Sequence, residues 1–205
     1  TNDNTPLFTW MSVTGGVNYQ VQVDNLSTFA SPEYDSTAAN TTREPGTGLP
    51  DGLYYWRVRA LNSASEPGAW SALRTVTVDT TGPAAPVHSI PAAGASVRTT
   101  PAFSWLASVT ATGYEFQYDN DADFSSVTYT SAVQAVTTHT PPAMALGVWN
   151  WRVRAKDALG NWGPWSSGRV VNILPPIPVA PVLLSPASGL ATNDNTPLFT
   201  WMSVT

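Results

Sequence analysis

The 205-residue chain contains no cysteine and a single lysine, Lys156. Without thiols it can form neither a disulfide nor a thiolate metal site, so packing and hydrogen bonds must hold its fold. Charged residues make up only 11% of the chain and the formal net charge is −5. Such a balance excludes nucleic acid and anionic membrane surfaces as electrostatic partners. No apolar run approaches the ~18 residues of a bilayer span, so no membrane insertion is expected of this segment. No stretch keeps a helical period for ten residues or more either. What is abundant is aromatic surface: nine Trp, seven Tyr and six Phe within a 42% apolar chain, ample for a packed core. Ser and Thr total 45 residues, and this polar, Lys-poor surface suits an extracellular or cell-surface location.

The chain also repeats itself. Thr1–Thr14 (TNDNTPLFTWMSVT) returns letter for letter at Thr192–Thr205, a spacing of 191 residues. A weaker echo lies between, with TPLFTW at Thr5–Trp10 and TPAFSW at Thr100–Trp105, 95 residues on. Read without a gap, the 95-residue offset gives 24 identities over the 79 positions from Thr1 to Asp79. Fixed periods of this kind mark a repeat architecture, and here an alternation of two module types. Residues 1–79 read as one module lacking its first strand, 80–85 as a linker and 86–173 as a complete module. A Pro-rich linker, 174–181, leads to the first two strands of a further module at 182–205. The first strand of module one is expected just upstream of Thr1 in a longer parent, with a sequence like Pro181–Ala191.

Within a module the segments alternate at period two between Gly, Pro, Asn and Asp turns, the pattern of strands. Leu7–Met11 reads as a strand with Phe8 and Trp10 inward, and Tyr19–Val23 as one with Tyr19, Val21 and Val23 inward. Tyr54–Ala60 places Tyr54, Trp56, Val58 and Ala60 on one face and Arg57 and Arg59 on the other; Ser71–Val78 closes the module. The predicted core is therefore Phe8, Trp10, Tyr19, Tyr54 and Trp56, with Phe103, Trp105, Tyr114, Trp149 and Trp151 as the second set.

A Trp on the second strand, a Tyr on the third, Tyr-x-Trp-x-Val-x-Ala on the sixth and no Cys resemble a fibronectin type III module. The resemblance covers essentially the whole chain. It implies all-β, tandem seven-stranded Greek-key sandwiches of the fibronectin type III or Ig-like kind, joined by short Pro-rich linkers. It also implies a corner tyrosine, which Tyr54 matches. Module two carries Trp149 there, which puts its corner hydrogen bond in question.

The most specific local constellation is Arg57-x-Arg59 with Trp70-Ser71, repeated as Arg152-x-Arg154 with Trp165-Ser166. Outward guanidinium planes can interleave with an indole from the neighbouring strand, each contact contributing roughly 0.5–2 kcal/mol. This resembles the Trp-Ser/Arg ladder of cytokine-receptor fibronectin modules. The functional alternative is an aromatic platform for surface glycans around Trp149, Trp162 and Trp165. Asp119, Asp121 and Asp123 share the spacing that opens many calcium loops, making calcium the one cofactor on offer. Phe124 and Thr130 stand where such a loop needs Gly and Glu, so a solvated turn is the plainer reading. Asn2-Asp3-Asn4 and its copy read as Asx turns. His88 and His139 have no counterpart in module one and no oriented nucleophile beside them, so no enzyme is expected. Asn25-Leu-Ser and Asn40-Thr-Thr match the glycosylation acceptor pattern, and no Arg-Gly-Asp occurs.

The linker Leu174–Pro181 has four prolines in eight residues and should be extended and semi-rigid. Three functions follow. The first is a segment of an extracellular fibre, stalk or adhesin shaft, with neighbouring copies of the repeat as partners. The second is a glycan-binding accessory region of a secreted carbohydrate-active enzyme. The third is a filament subunit in which Pro181–Ala191 of one chain fills the gap in module one of another.

Overall fold

The computed structural model describes residues 1–204, and among them every regular element is a strand. The first sandwich is built from β1 (Phe8–Thr9), β2 (Asn18–Asp24), β3 (Tyr34–Ala38), β4 (Thr42–Arg43), β5 (Gly52–Leu61) and β6 (Arg74–Val78). The second comprises β7 (Val87–Ile90), β8 (Ala95–Val97), β9 (Phe103–Leu106), β10 (Gly113–Asp119), β11 (Tyr129–Thr130), β12 (Thr138–His139), β13 (Gly147–Lys156) and β14 (Arg169–Ile173). A ribbon of β15 (Leu183–Ser185) and β16 (Thr200–Trp201) ends the chain.

In the first sandwich a four-stranded sheet, β3-β2-β5-β6, faces the pair β1-β4. In the second, a five-stranded sheet, β11-β10-β13-β14-β8, faces β12-β9-β7. All pairings are antiparallel except β14 with β8. Alternation dictates the buried faces. Tyr19, Val21 and Val23 of β2, and Tyr114, Phe116 and Tyr118 of β10, point into the cores. Phe8 packs on Trp56 with ring centroids 5.2 Å apart, and Phe103 on Trp151 at 5.0 Å, so each core joins both sheets. The expectation of all-β sandwiches is met.

Some elements differ from the sequence reading. The opening strand is only two residues long, and the closing strand starts at Arg74 rather than Ser71. Ser71 is instead held at the edge of β5, its N–H donating to Val58 O and its Oγ accepting from Val58 N–H. The short strands β3, β4, β11 and β12 went unread because two to five residues carry little periodicity. The offset of 95 is not gapless either. Phe8 pairs with Arg43, but Phe103 pairs with His139, so β4 and β12 correspond at 96 residues while β5 and β13 return to 95. The second module gains one residue before that strand and loses it after, leaving the inward set on either side unchanged.

Candidate functional site: aromatic ladder and open groove

The structure brings Arg57, Arg59 and Trp70 together on the outer face of the first four-stranded sheet. The guanidinium carbons lie 4.3 and 4.4 Å from the Trp70 ring centroid. In the second sandwich Arg152 and Arg154 lie 4.4 and 4.5 Å from Trp165. Side chains two apart on a strand stand about 7 Å apart, so each indole is sandwiched between its two arginines. Phe29 continues the first stack at 4.0 Å from Arg57, and Phe124 the second at 4.1 Å from Arg152. Both phenylalanines sit in loops at positive φ (54° and 55°), and sequence reasoning did not place them here. Their signal was present, because each is the other's counterpart at 95 residues.

Neighbouring strands fix the guanidinium planes. Arg57 donates twice to Gln22 Oε1 and Arg152 twice to Gln117 Oε1. Arg59 donates to Gln20 Oε1, and at the matching place Arg154 forms an ion pair with Glu115 at 2.6 Å. Trp162 extends the second ladder, 4.3 Å from Arg154 and 5.7 Å from Lys156. Trp149 packs edge-on against Tyr118 at 5.1 Å. Arg152 and Arg154 thereby cover Trp165, and Arg154 and Lys156 lie over Trp162, so these two indoles are not free for stacking on a sugar ring.

Trp149 also answers the corner question. Tyr54 Oη donates to Pro50 O at 2.9 Å, and Trp149 Nε1 donates to Ala145 O, likewise four residues back, at 2.9 Å. The indole N–H replaces the phenol O–H at the same carbonyl.

The three candidate calcium carboxylates do not converge. Asp119 is buried at the end of β10, accepting from Asn120 N–H and Thr128 Oγ1. Asp123 caps the next turn through Ser125 N–H, which lowers its pKa, and Asp121 is exposed. Among the described residues no three His, Asp or Glu gather as metal ligands. Asp3 accepts from Thr5 N–H, the Asx turn expected there. His139 lies between Tyr129 Oη and Gln134 Oε1.

His88 was placed in no site by sequence, yet it marks the largest difference between the sandwiches. Its ring stands edge-on over Trp151 at 4.0 Å, and its Nε2 lies 2.9 Å from Ser166 Oγ. Burial, and secondarily Arg169, lowers its pKa to about 4, so the imidazole is neutral and shares one hydrogen bond with the Ser166 hydroxyl. Ser166 Oγ already accepts from Val153 N–H and is buried, so the pair is structural and presents no nucleophile.

Among the described residues, no strand of the first sandwich stands in the place of β7. There, three adjoining hollows of about 480, 420 and 450 Å³ run along its edge. Trp10, Trp56 and Val58 line one end, and Val13, Ala60 and Gly68 the other. In the second sandwich β7 and the linker before it cover the matching surface. Asn161 Nδ2 donates to Asp79 O at 2.8 Å. A Cβ on Gly82 would collide with the backbone of Trp162 and Gly163, and one on Gly163 with Pro83.

A scan against protein families and a search of curated proteins each find no match. Among solved structures the chain is similar to the FN1-FN3 domains of chicken CNTN1. The identity is 17% and the TM-score 0.43, over 83% of this chain and 62% of that one. It is also similar to the fibronectin(III)-like modules of Clostridium thermocellum CbhA. There the identity is 15% and the TM-score 0.45, over 80% of this chain and 82% of that one. By its own strand order, inter-sheet cores and corner hydrogen bonds, the fold of this chain is all-β and fibronectin type III-like.

Proposed function

We propose that the chain is a structural segment of an extracellular or cell-surface fibre, stalk or adhesin shaft, supplying length and stiffness rather than catalysis. The observation that carries this reading is the clamped joint between the sandwiches. Asp51 of the first sandwich accepts from Thr80 N–H, Thr80 Oγ1 and Thr81 Oγ1, contacts that hold its carboxyl below its ordinary pKa. Asn161 and Gly163 of the second grip the linker from the other side. A linker bonded to both neighbours resists bending in a way that a free tether of the same length does not.

The test is NMR relaxation with small-angle scattering on the whole chain. The expected result is that both sandwiches tumble as one elongated body and that Gly82→Val uncouples them. Independent tumbling of the unaltered chain would remove the reading. Binding to any sugar on a glycan array would favour the accessory-module alternative; cation-covered indoles argue for its absence.

A further inference from the structure

We propose that the turn at residues 157–163 of the second sandwich is a docking site selective for the linker at residues 79–83, and that the donor at Asn161 sets the selectivity. The inference rests on the stiff joint proposed above and names what that joint recognises. One peptide unit carries the recognition. Thr80 N–H donates to Asp51 Oδ1 of the first sandwich at 2.7 Å. The carbonyl of the same peptide, Asp79 O, accepts from Asn161 Nδ2 of the second at 2.8 Å. A peptide group held at both ends is polarised by each bond, so each sandwich strengthens the grip of the other. Beside it the backbones close up, with no room for a Cβ on Gly82 against Trp162 and Gly163, or on Gly163 against Pro83.

The turn is braced from within. Asp157 N–H donates to Asn161 O, and Gly163 N–H to Ala155 O. Asp157 Oδ1 accepts from the N–H groups of Leu159 and Asn161, and its Oδ2 accepts from Asn161 Nδ2 at 2.9 Å. The Trp162 indole lies 4.3 Å from Arg154, which fastens the turn to the ladder. The amide of Asn161 carries two hydrogens on its nitrogen. One goes to Asp157 and the other to Asp79 O. Both partners are pure acceptors, so the amide can point only one way.

The first sandwich builds the same turn with the side-chain bond reversed. At residues 62–68, 95 positions earlier, Asn62 N–H donates to Glu66 O and Gly68 N–H to Ala60 O. Asn62 Oδ1 accepts from the N–H groups of Ala64 and Glu66. Here, however, Asn62 Nδ2 donates to Glu66 Oε2 at 2.8 Å. A carboxylate has lone pairs and no hydrogen, so residue 66 offers nothing to a linker carbonyl. Placed in the second turn it would set acceptor against acceptor and leave Asp79 O unpaired. Either pair closes the turn equally well, and only the outward hydrogen differs. The pair Asp157–Asn161 therefore admits this linker and the pair Asn62–Glu66 refuses it, which is selectivity by a built-in mismatch. A module of the first kind cannot stand behind the linker at residues 79–83.

The experiment is NMR relaxation of the full chain with the two pairs exchanged in turn. Asp157→Asn with Asn161→Glu gives the second turn the pair of the first. The expected result is that the single tumbling time splits into two shorter ones and the Thr80 amide proton moves upfield, while the second sandwich keeps its melting temperature. Asn161→Ala, which adds no charge, should shift Thr80 in the same direction with the sandwich folded. The reciprocal exchange, Asn62→Asp with Glu66→Asn, should change neither readout. Shared tumbling with an unmoved Thr80 amide in both second-turn variants overturns the selectivity and leaves the stiff joint standing. So does uncoupling by the first-turn exchange. Independent tumbling of the unaltered chain overturns the stiff joint and this inference together.

Discussion

The same five residues, Trp-Arg-Val-Arg-Ala, occupy the middle of β5 and of β13, and their inward faces meet different surroundings. In the second sandwich Trp151, Val153 and Ala155 are all fully buried beneath β7 and β9. In the first, Trp56, Val58 and Ala60 are only partly buried. The outward faces, by contrast, are alike: in both copies two arginines clamp one tryptophan. A local sequence therefore settles the face that interacts with its own sheet. The burial of the inward face depends instead on the strands of the opposite sheet that lie over it.

The largest effect that separates the two is core truncation. Trp151→Ala should destabilise the second sandwich by about 3–5 kcal/mol, as for a fully buried tryptophan. Trp56→Ala should cost the first roughly half as much, because part of the ring is already in water. Chemical denaturation followed through each sandwich's own transition tells them apart; equal losses would mean the open groove is closed in solution.

The next difference is pH. His88 stays neutral when folded down to about pH 4, whereas an unfolded histidine binds its proton near the ordinary 6.5. Below 6.5 the unfolded state holds more protons, so stability is full above that value and falls as pH drops toward 4. Arg169 opposes the charge on the ring, and burial shifts His139 in the same direction. The second transition should lose melting temperature across this window, and His88→Leu should remove the larger share. The first sandwich has no histidine and serves as the control.

A smaller effect tests the corner. Trp149→Phe leaves Ala145 O without its donor and should cost about 1 kcal/mol in addition to the lost ring area. Trp149→Tyr recreates the residue found at Tyr54 and should recover much of it, as read by denaturant midpoint. The smallest test concerns the ladder. Glu115→Gln makes the second ladder chemically like the first, and should change stability by no more than about 1 kcal/mol while removing a salt dependence. A larger loss would show that the Arg154 ion pair, and not ring stacking, holds the ladder.

Much of the fold was legible because period-two alternation in Tyr19–Val23 and Tyr54–Ala60 states which side faces inward. The ladder's arginines and tryptophans were legible for the same reason, read from the opposite face. Phe29 and Phe124 were not, since a left-handed turn folds them back onto the sheet and no strand period reaches a turn. The shift between β4 and β12 was hidden because strands of two residues carry no pattern on which to place a gap. Trp149 was misjudged by attending to the hydroxyl of a corner tyrosine rather than to the reach of any N–H or O–H donor. The packing role of His88 was not legible because its partners, Trp151 and Ser166, lie far away in sequence and meet it only across the two sheets.

Glycine at position 82 has a consequence for mechanics. At the second linker, the residue 95 positions on is Ile177, whose side chain could not enter a contact so close that a Cβ on Gly82 already collides with the backbone opposite. Arg98 instead donates to Pro175 O and ties that linker back to the sandwich it leaves. The contacts at the two linkers thus differ: Gly82 lies against the backbone of Trp162 and Gly163 in the sandwich that follows, and Pro175 accepts from Arg98 in the sandwich that precedes. Under tension the first joint would therefore load the backbone contact of Gly82 with Trp162 and Gly163, which no larger side chain at that position could keep.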